Sequence, residues 1–248
     1  MSYPYDSQFM EYSVRSSGHS AAKVIRILRR ALPIESVLDV GCAHGTWLKE
    51  WQASGVQDVH GVDGEYVDVA GLAILPCEFT SADLSYPVSL NRTFDLVQSL
   101  EVGEHITPSA SATFVEGIVE HSRGVVLFSA APPGQGGEFH INERPYEFWR
   151  ALFRSHNFFP FDYVRPLISE DRSISFWYRL NTLLYIRSDR IHGLDLILRK
   201  AQIPEETPIP DFSSVAFKVR KAVVRQLPYS AQHKLARLKA RFLPSGSF

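Results

Sequence analysis

Acidic residues lie at or near the ends of three segments of the chain that have the apolar character of buried strands. Asp39 lies in the first segment, with Gly41 and Gly45 directly after it, and Asp63 and Asp83 end the second and third. Glycines let the backbone turn tightly and approach a ligand closely. A carboxylate after the second strand can accept both hydrogen bonds of a ribose diol, and one after the third can accept from an exocyclic amine. This order of residues predicts a pocket for a nucleoside-bearing cofactor.

Two histidines are candidates for proton transfer beside that pocket. His105 follows the fourth apolar segment, and His140 lies in a glycine-rich loop after the fifth. The pKa of an imidazole is near neutral, so either side chain can take the proton of a hydroxyl acceptor. Each can instead pack under the site or support the loop. We expect His140 to be the general base with His105 as second candidate, and Glu104 and Glu143 to be supporting or exposed groups.

The elements that position these residues alternate between strand and helix. Apolar segments of strand length recur between helical patterns, at residues 36–40, 59–62, 79–82, 94–99, 125–129, 158–164 and 182–186. This alternation predicts a mostly parallel sheet with helices on both faces, which binds ligands at the carboxyl ends of its strands. The fold class is therefore α/β: a Rossmann-like, doubly wound, seven-stranded sheet with one antiparallel late strand. An amphipathic N-terminal helix precedes the sheet.

The charge of the chain changes sign near residue 211. The 248 residues carry 26 Lys and Arg against 27 Asp and Glu, a net charge of −1. The last 37 residues hold eight of the basic residues and no acidic ones, which leaves an acidic body with 18 basic residues. We predict one domain over 1–211 and a basic amphipathic extension over 212–248, with a helix after Ser230. Such an extension can bind RNA, a partner protein or an anionic membrane surface, or simply be solvated.

Composition and the first residues favour a cytoplasmic protein. Hydrophobic residues make up 45% and charged residues 21% of the chain, which excludes a disordered polypeptide. The two cysteines, Cys42 and Cys77, are too few for a disulfide framework. The chain begins without the basic start and apolar core of a signal peptide, and no apolar run of about 18 residues is present.

Four segments together resemble the motifs of the class I S-adenosylmethionine-dependent methyltransferases. Their sequences are VLDVGCAHGTWL, GVDG, ADL and FDLVQSLEVGEHI, at residues 37–48, 61–64, 82–84 and 94–106. The last is similar to the post-strand-four motif of the small-molecule branch, and the resemblance spans about residues 20–190. It implies S-adenosylmethionine as the cofactor. Ala43 stands where the usual motif has its middle glycine; its methyl group is expected to tighten the pocket without abolishing it.

The resemblance assigns the cofactor pocket to residues at the ends of the first four strands. They are Asp39, Gly41, Ala43, Gly45, Asp63, Gly64, Ala82, Asp83, Leu84, Ser99 and Leu100. Asp39 and Gly41 are expected at the methionine moiety, and Asp63 at the ribose. The segment 82–84 is expected at the adenine, and Ser99 and Leu100 are expected behind the sulfonium.

On the acceptor side the resemblance places Glu101, while Arg144 either binds an anionic acceptor or caps its loop. That loop, 134–144, and residues 177–181 resemble a bacterial subgroup associated with polysaccharide or glycosylated natural-product pathways. Residues 131–134, with the sequence APPG, lack the Asp or Asn and the aromatic residue that flank two prolines in base N-methylating enzymes, so DNA is not an expected partner. No strand-end Asp pair with Asn and no Cys/His cluster is visible, so no metal is expected.

These features predict methyl transfer from S-adenosylmethionine to a hydroxyl of a sugar or another small polar metabolite, that is, a small-molecule or glycan acceptor. One alternative is an RNA or protein methyltransferase that docks through the basic extension. Another is a protein that binds the cofactor without turnover and acts in regulation or assembly. A dinucleotide site at Asp63 is disfavoured because the first turn is GxxxG rather than GxGxxG.

Overall fold

The computed structural model describes residues 7–228, 231 and 234. The strands are β1 (Ser36–Val40), β2 (Asp58–Asp63), β3 (Phe79–Ser81), β4 (Leu96–Leu100), β5 (Val125–Ser129), β6 (Phe158–Phe161) and β7 (Leu183–Arg187). The helices are α1 (Ser7–Ala31), α2 (Thr46–Ala53), α3 (Ser111–Glu120), α4 (Tyr146–Ser155), α5 (Arg165–Ile168), α6 (Phe176–Asn181), α7 (Ser188–Ile191), α8 (Leu196–Lys200) and α9 (Val215–Val224). Short 3₁₀ turns lie at 69–71, 76–78, 103–105 and 108–110.

The seven strands form one sheet in the order β3-β2-β1-β4-β5-β7-β6. The pairs from β3 through β5 are parallel, and β7 runs antiparallel to both β5 and β6. This confirms the predicted α/β fold with one antiparallel late strand. The order of strands reverses at β1, which lies between β2 and β4. In such sheets the ligand crevice opens at the carboxyl ends of the strands beside this switch point.

Helices cover both faces of the sheet, as the apolar runs of its central strands require. Every residue of β1, β4 and β5 is buried, which is typical of parallel strands between two helical layers. On one face the apolar stripe of α1 packs with Leu48 and Trp51 of α2. On the other face Phe114 of α3 packs with Trp149 and Phe153 of α4. Helices α1 and α2 therefore pack on one face of the sheet, and α3 and α4 pack on the other.

Some strand ends differ from the prediction. The third strand ends at Ser81, one residue early, and Phe94 forms an isolated bridge to Ser122 rather than beginning β4. The sixth strand stops at Phe161 rather than at residue 164, because Pro166 in the first turn of α5 presets the backbone for a helix. The core positions of these strands are unaffected.

The first part of the predicted basic extension, helix α9, packs against the body. Lys221 is buried, and its Nζ lies 2.8 Å from Asp211 Oδ2. Arg220 donates a hydrogen bond of 2.9 Å to the backbone carbonyl of Gln135. The helix predicted after Ser230 falls almost wholly outside the described residues. Among the helices described, none has the length and apolar character needed to span a bilayer.

Candidate active site

The turn from β1 into α2 is a tight loop in which glycine has a physical function. Gly41 has φ 88°, and its N–H donates to the Val62 carbonyl at 2.8 Å. A Cβ on Gly41 would lie 2.3 Å from a methyl group of Val102, so no larger residue fits without displacement. Gly45, at φ 76°, precedes α2. Glycine at these two positions therefore lets the turn pack closely against Val102 and Ile74 at the carboxyl edge of the sheet.

Ala43 takes a backbone conformation that glycine adopts more readily. Its φ is 47°, in the left-handed region, where an L residue with a Cβ costs about 1 kcal/mol or more. The Ala43 N–H donates to Asp63 Oδ2 at 2.7 Å, which holds the turn in place. The departure from the family motif is thus accommodated by the bond to Asp63 rather than by a change in the course of the loop.

Asp39 is a buried carboxyl at the centre of the carboxyl edge. It pairs in register with Gly61 of β2 and Gln98 of β4. Burial raises the pKa of Asp39 to about 7; the neighbouring Gln98 amide lowers it and the charge of Asp63 raises it. A carboxyl that has lost its water in this way gains strongly from a cation placed beside it.

Asp63, at the end of β2, accepts hydrogen bonds on both oxygens. Oδ1 accepts from the Gly64 N–H at 2.7 Å and from the Tyr66 hydroxyl, and Oδ2 accepts from Ala43. Burial raises its pKa, and these three donors lower it. A ribose at this carboxylate would compete with the Tyr66 hydroxyl. Tyr66 was not among the predicted site residues, and its position three residues after Asp63 is the only sequence signal for it.

The end of the third strand is followed by an exposed carboxylate, and the end of the fourth carries a hydroxyl that donates a hydrogen bond to the neighbouring strand. Asp83 is exposed next to the buried Leu84, and its Oδ1 caps the Ser85 N–H at 2.9 Å. Ser99, at the end of β4, donates its hydroxyl to the Val40 carbonyl at 2.7 Å. Ser99 thus ties β4 to β1, while Leu100 beside it is buried.

Glu101 begins the acceptor side and is held by two amides. Its carboxylate accepts from Gln135 Nε2 at 3.1 Å and from Asn181 Nδ2 at 3.0 Å. Tyr146 donates to Asn181 Oδ1 at 2.9 Å. Burial raises the pKa of Glu101, and the Asn181 amide lowers it. Glu101 has φ 58°, and backbone strain of this kind concentrates at functional positions.

Both predicted histidines lie beside Glu101, around a buried carboxyl. The His105 and His140 rings meet edge to face with centroids 4.9 Å apart, and His140 Nε2 lies 3.9 Å from Glu104 Oε1. Glu104 has no exposed surface, and burial raises its pKa well above the usual range. Burial also lowers the pKa of His105 to about 3. Of the two alternatives predicted for Glu104, a supporting or an exposed group, its burial excludes the exposed one.

The loop after β5 is braced by its own polar side chains. Glu143 accepts from the N–H groups of Gly134 and Gly136, both at 2.7 Å, and lies 2.9 Å from His140 Nδ1. These contacts correspond to the supporting one of the two alternatives predicted for Glu143. Arg144 donates to Asn142 Oδ1 at 2.8 Å and holds that amide in the loop, which corresponds to the capping alternative for Arg144.

The structure therefore divides the predicted residues into two groups. The residues predicted to bind the cofactor lie around the ends of β1, β2, β3 and β4, and those predicted for the acceptor side lie where the segments after β4 and β5 meet α6. Sequence reasoning missed Gln135 and Asn181 as individual residues, although both lie in segments that the subgroup resemblance covers.

Comparison with known proteins agrees with this arrangement. A family model described as a methyltransferase domain matches residues 15–162, more than half of the chain. No curated protein matches the sequence. Magnesium protoporphyrin IX methyltransferase from Synechocystis PCC 6803, solved with bound SAM, has a TM-score of 0.51 at 16% identity, over 76% of this chain and 87% of that one.

Two solved sugar-modifying enzymes have the same fold. The sugar N-methyltransferase KedS8 from Streptoalloteichus sp ATCC 53650 has a TM-score of 0.56 at 17% identity, over 75% of this chain and 96% of that one. CalS10, an amino pentose methyltransferase from Micromonospora echinaspora, has a TM-score of 0.53 at 15% identity, over 76% of this chain and 99% of that one. With the family match and the four motifs, the chain belongs to the methyltransferase-domain family and is a class I S-adenosylmethionine-dependent methyltransferase.

Proposed function

We propose that the protein methylates a hydroxyl group of a sugar or another small polar metabolite. The observation that carries this proposal is the cluster of the buried Glu104 with the partly buried His105 and His140, close to the carboxylate of Glu101. A hydroxyl is a poor nucleophile until its proton is removed, and this group can remove it. The sugar-modifying activities of KedS8 and CalS10 support a sugar-like acceptor.

The residues at the first three strand ends fit the cofactor. Gly41, where a Cβ would collide with Val102, permits the tight turn that follows β1. Asp39 would face the methionine ammonium, Asp63 the ribose hydroxyls, and Asp83 the adenine amine. When bound, S-adenosylmethionine supplies an activated methyl group on a sulfonium. The chain then mainly has to align the acceptor oxygen with that methyl group.

His140 is positioned for removal of the acceptor proton. Glu143 fixes its Nδ1, which leaves Nε2 on the side of Glu104. The proton can pass directly to Nε2, or Nε2 can hold a cation that acidifies the hydroxyl. The proton goes to Nε2 in the first route and to water in the second, and both routes depend on His140.

Substitution of His140 tests this function. With S-adenosylmethionine labelled in its methyl group, we expect label in a sugar hydroxyl and a fall in kcat of about 10²–10⁴-fold for His140→Ala. Cofactor affinity should be unchanged, because His140 lies on the acceptor side. His192→Ala, at an exposed histidine after α7, is the matched control. Transfer to an amino group only, or full activity of His140→Ala, would contradict the proposal.

Cofactor affinity is expected to depend on pH through Asp39. Its pKa of about 7 in the cofactor-free protein means that lowering the pH adds a proton that the cofactor ammonium must displace. The dissociation constant should therefore rise about tenfold between pH 8 and pH 6. Calorimetry at several pH values checks this, and the protein should release protons on binding near pH 6. Affinity that is flat over this range would show that Asp39 does not face the ammonium.

The alternative roles give different outcomes in the same assays. A cofactor-binding regulator would bind S-adenosylmethionine and transfer no methyl group to any acceptor. An RNA or protein methyltransferase would need the basic extension, yet in its described part Lys221 is paired with Asp211 and Arg220 with the Gln135 carbonyl. These contacts favour a role for α9 in the body of the enzyme over a role in docking.

A further inference from the structure

We propose that Glu104, His105 and His140 bind a divalent transition-metal ion on the acceptor side of the site. One ligand atom from each residue lies within 4.8 Å of the other two, and His140 Nε2 is 3.9 Å from Glu104 Oε1. Two atoms that each lie about 2.1 Å from one ion are at most about 4.2 Å apart, so only a small movement of the side chains is needed. The rings of the two histidines meet edge to face, with centroids 4.9 Å apart and an angle of 88° between their planes.

The Glu104 carboxylate gives independent support for a ligand here. It has no exposed surface, and within the described part of the protein no side chain donates a hydrogen bond to either of its oxygens; only the backbone N–H groups of Glu104 and Ala131 lie near enough to lower its pKa. Burial of an unpaired carboxylate is costly, and carboxylates in protein interiors are ordinarily paired or coordinate metals. A cation between Glu104 and the two imidazoles would pair with this carboxylate.

The outer nitrogens of both histidines are placed as they are in metal sites. His140 Nδ1 lies 2.9 Å from Glu143 Oε1, and His105 Nδ1 lies 3.3 Å from the Phe139 carbonyl. A carboxylate or carbonyl that accepts from Nδ1 fixes the imidazole tautomer, so that Nε2 carries the lone pair. Glu143 is itself held by two backbone N–H groups of the loop. The cluster thus has the outer contacts that orient ligating histidines.

The donor set favours a transition metal over Mg²⁺ or Ca²⁺. Two imidazoles and one carboxylate are the protein ligands of catalytic Zn²⁺ sites and of Fe²⁺ sites with open positions, whereas Mg²⁺ and Ca²⁺ prefer oxygen. With three protein ligands, positions remain for water or an acceptor hydroxyl. This departs from the expectation of no metal, since it is the fold that brings His140 to the neighbouring residues Glu104 and His105.

Such an ion deepens the proposed function, on which this step rests. A hydroxyl that coordinates the ion becomes more acidic and releases its proton to water. The oxygen then forms a bond to the methyl carbon while the bond from that carbon to sulfur breaks, and no oxidant or reductant is consumed. Here His140 acts as a ligand, because the lone pair on Nε2 cannot serve both roles.

Metal binding by the tag-free full chain, after removal of bound metal with a chelator, tests the proposal. We expect one Zn²⁺ per chain by calorimetry and, with Co²⁺, visible absorption bands from nitrogen and oxygen coordination. Glu104→Gln and His140→Ala should abolish both signals. Glu143→Gln should weaken Zn²⁺ binding by about 10–100-fold while keeping all three ligands. The control variant His192→Ala should bind Zn²⁺ and Co²⁺ as the parent protein does.

Circular dichroism and cofactor binding confirm that each variant is folded. No stoichiometric Zn²⁺ and no Co²⁺ bands in the folded parent would overturn the proposal, as would unchanged binding in both ligand variants. Stoichiometric binding without methyl transfer to any hydroxyl would leave the metal site standing and reject the proposed function. Methyl transfer that is undiminished in metal-free protein would support His140 as a base and reject the metal.

Discussion

Asp39→Asn is expected to weaken S-adenosylmethionine binding by about 30- to 1000-fold, while making the cofactor-free protein more stable at alkaline pH. The loss of affinity follows because a buried charge would lose its partner, which typically costs about 2–4 kcal/mol. Asn keeps the size and shape of Asp39, so the turn at Gly41 should remain intact. Calorimetry of binding at pH 8 measures the first effect.

The gain in stability follows from the pKa of Asp39. Its value is about 7 in the folded protein against the ordinary 3.8, so between these values the folded state binds the proton more strongly. Stability contributed by this group therefore falls as the pH rises from 4 to 7, and the loss is complete above pH 7. At pH 8 the Asn variant should be more stable by up to about 4 kcal/mol, and at pH 4 the difference should vanish.

Thermal unfolding without cofactor at both pH values measures this second effect. Asp83→Asn is the matched control, because Asp83 is exposed and its substitution should not raise the stability. Normal cofactor binding by Asp39→Asn would contradict the contact assigned to Asp39. Lower stability of the variant than of the parent at pH 8 would contradict the electrostatic cost of the buried carboxylate. Opposite changes in affinity and stability are the expected signature of a binding residue held in an unfavourable environment.

Arg165→Ala is expected to destabilise the fold by about 3–5 kcal/mol, since it leaves a buried charge network without its cation. The Arg165 side chain is fully buried, and its guanidinium binds both oxygens of Asp162, at 2.8 and 2.7 Å. It also donates to the carbonyls of Leu180 and Pro210 at 3.0 and 2.9 Å. It therefore joins the end of α6 to the segment that leads into α9.

Chemical denaturation measures this effect, and an exposed pair provides the control. Arg154 Nε lies 3.3 Å from Glu205 Oε2 with both side chains about half exposed, and such pairs contribute about 0–1 kcal/mol. Arg154→Ala should therefore change the unfolding free energy by less than about 1 kcal/mol. Equal effects of the two substitutions would contradict the structural role of Arg165. Because Leu180 precedes Asn181, Arg165→Ala should also loosen the support of Glu101.

The cofactor side of the site could be predicted from the sequence because its signals are local. Asp39, Gly41 and Asp63 each lie in or next to a strand, and a parallel sheet places all its carboxyl ends on one edge. Knowledge of the strand order was not needed to bring them together. Ala43 illustrates the limit, since its compensating bond comes from Asp63, 20 residues away.

The acceptor side could be predicted only in part because its contacts join distant segments. Glu101 is held by Gln135 and Asn181, 34 and 80 residues further along the chain. Glu104 stands in the sequence as an acidic residue before His105, and nothing in that pattern shows that another loop will bury it. The pairing of the two histidines likewise depends on how the loop after β5 folds back, which local spacing does not encode.

The position of α9 has a consequence for the order in which the site is assembled during synthesis. The strands whose ends carry the cofactor residues are complete by residue 100. The loop around Gln135, however, is contacted by Arg220, 85 residues later, and the backbone of Lys221 lies so close to Gly134 that a Cβ there would be 2.2 Å from its oxygen. During synthesis, the residues predicted for the cofactor are therefore translated first. The loop around Gln135 gains its contacts with α9 only after residue 221 has left the ribosome.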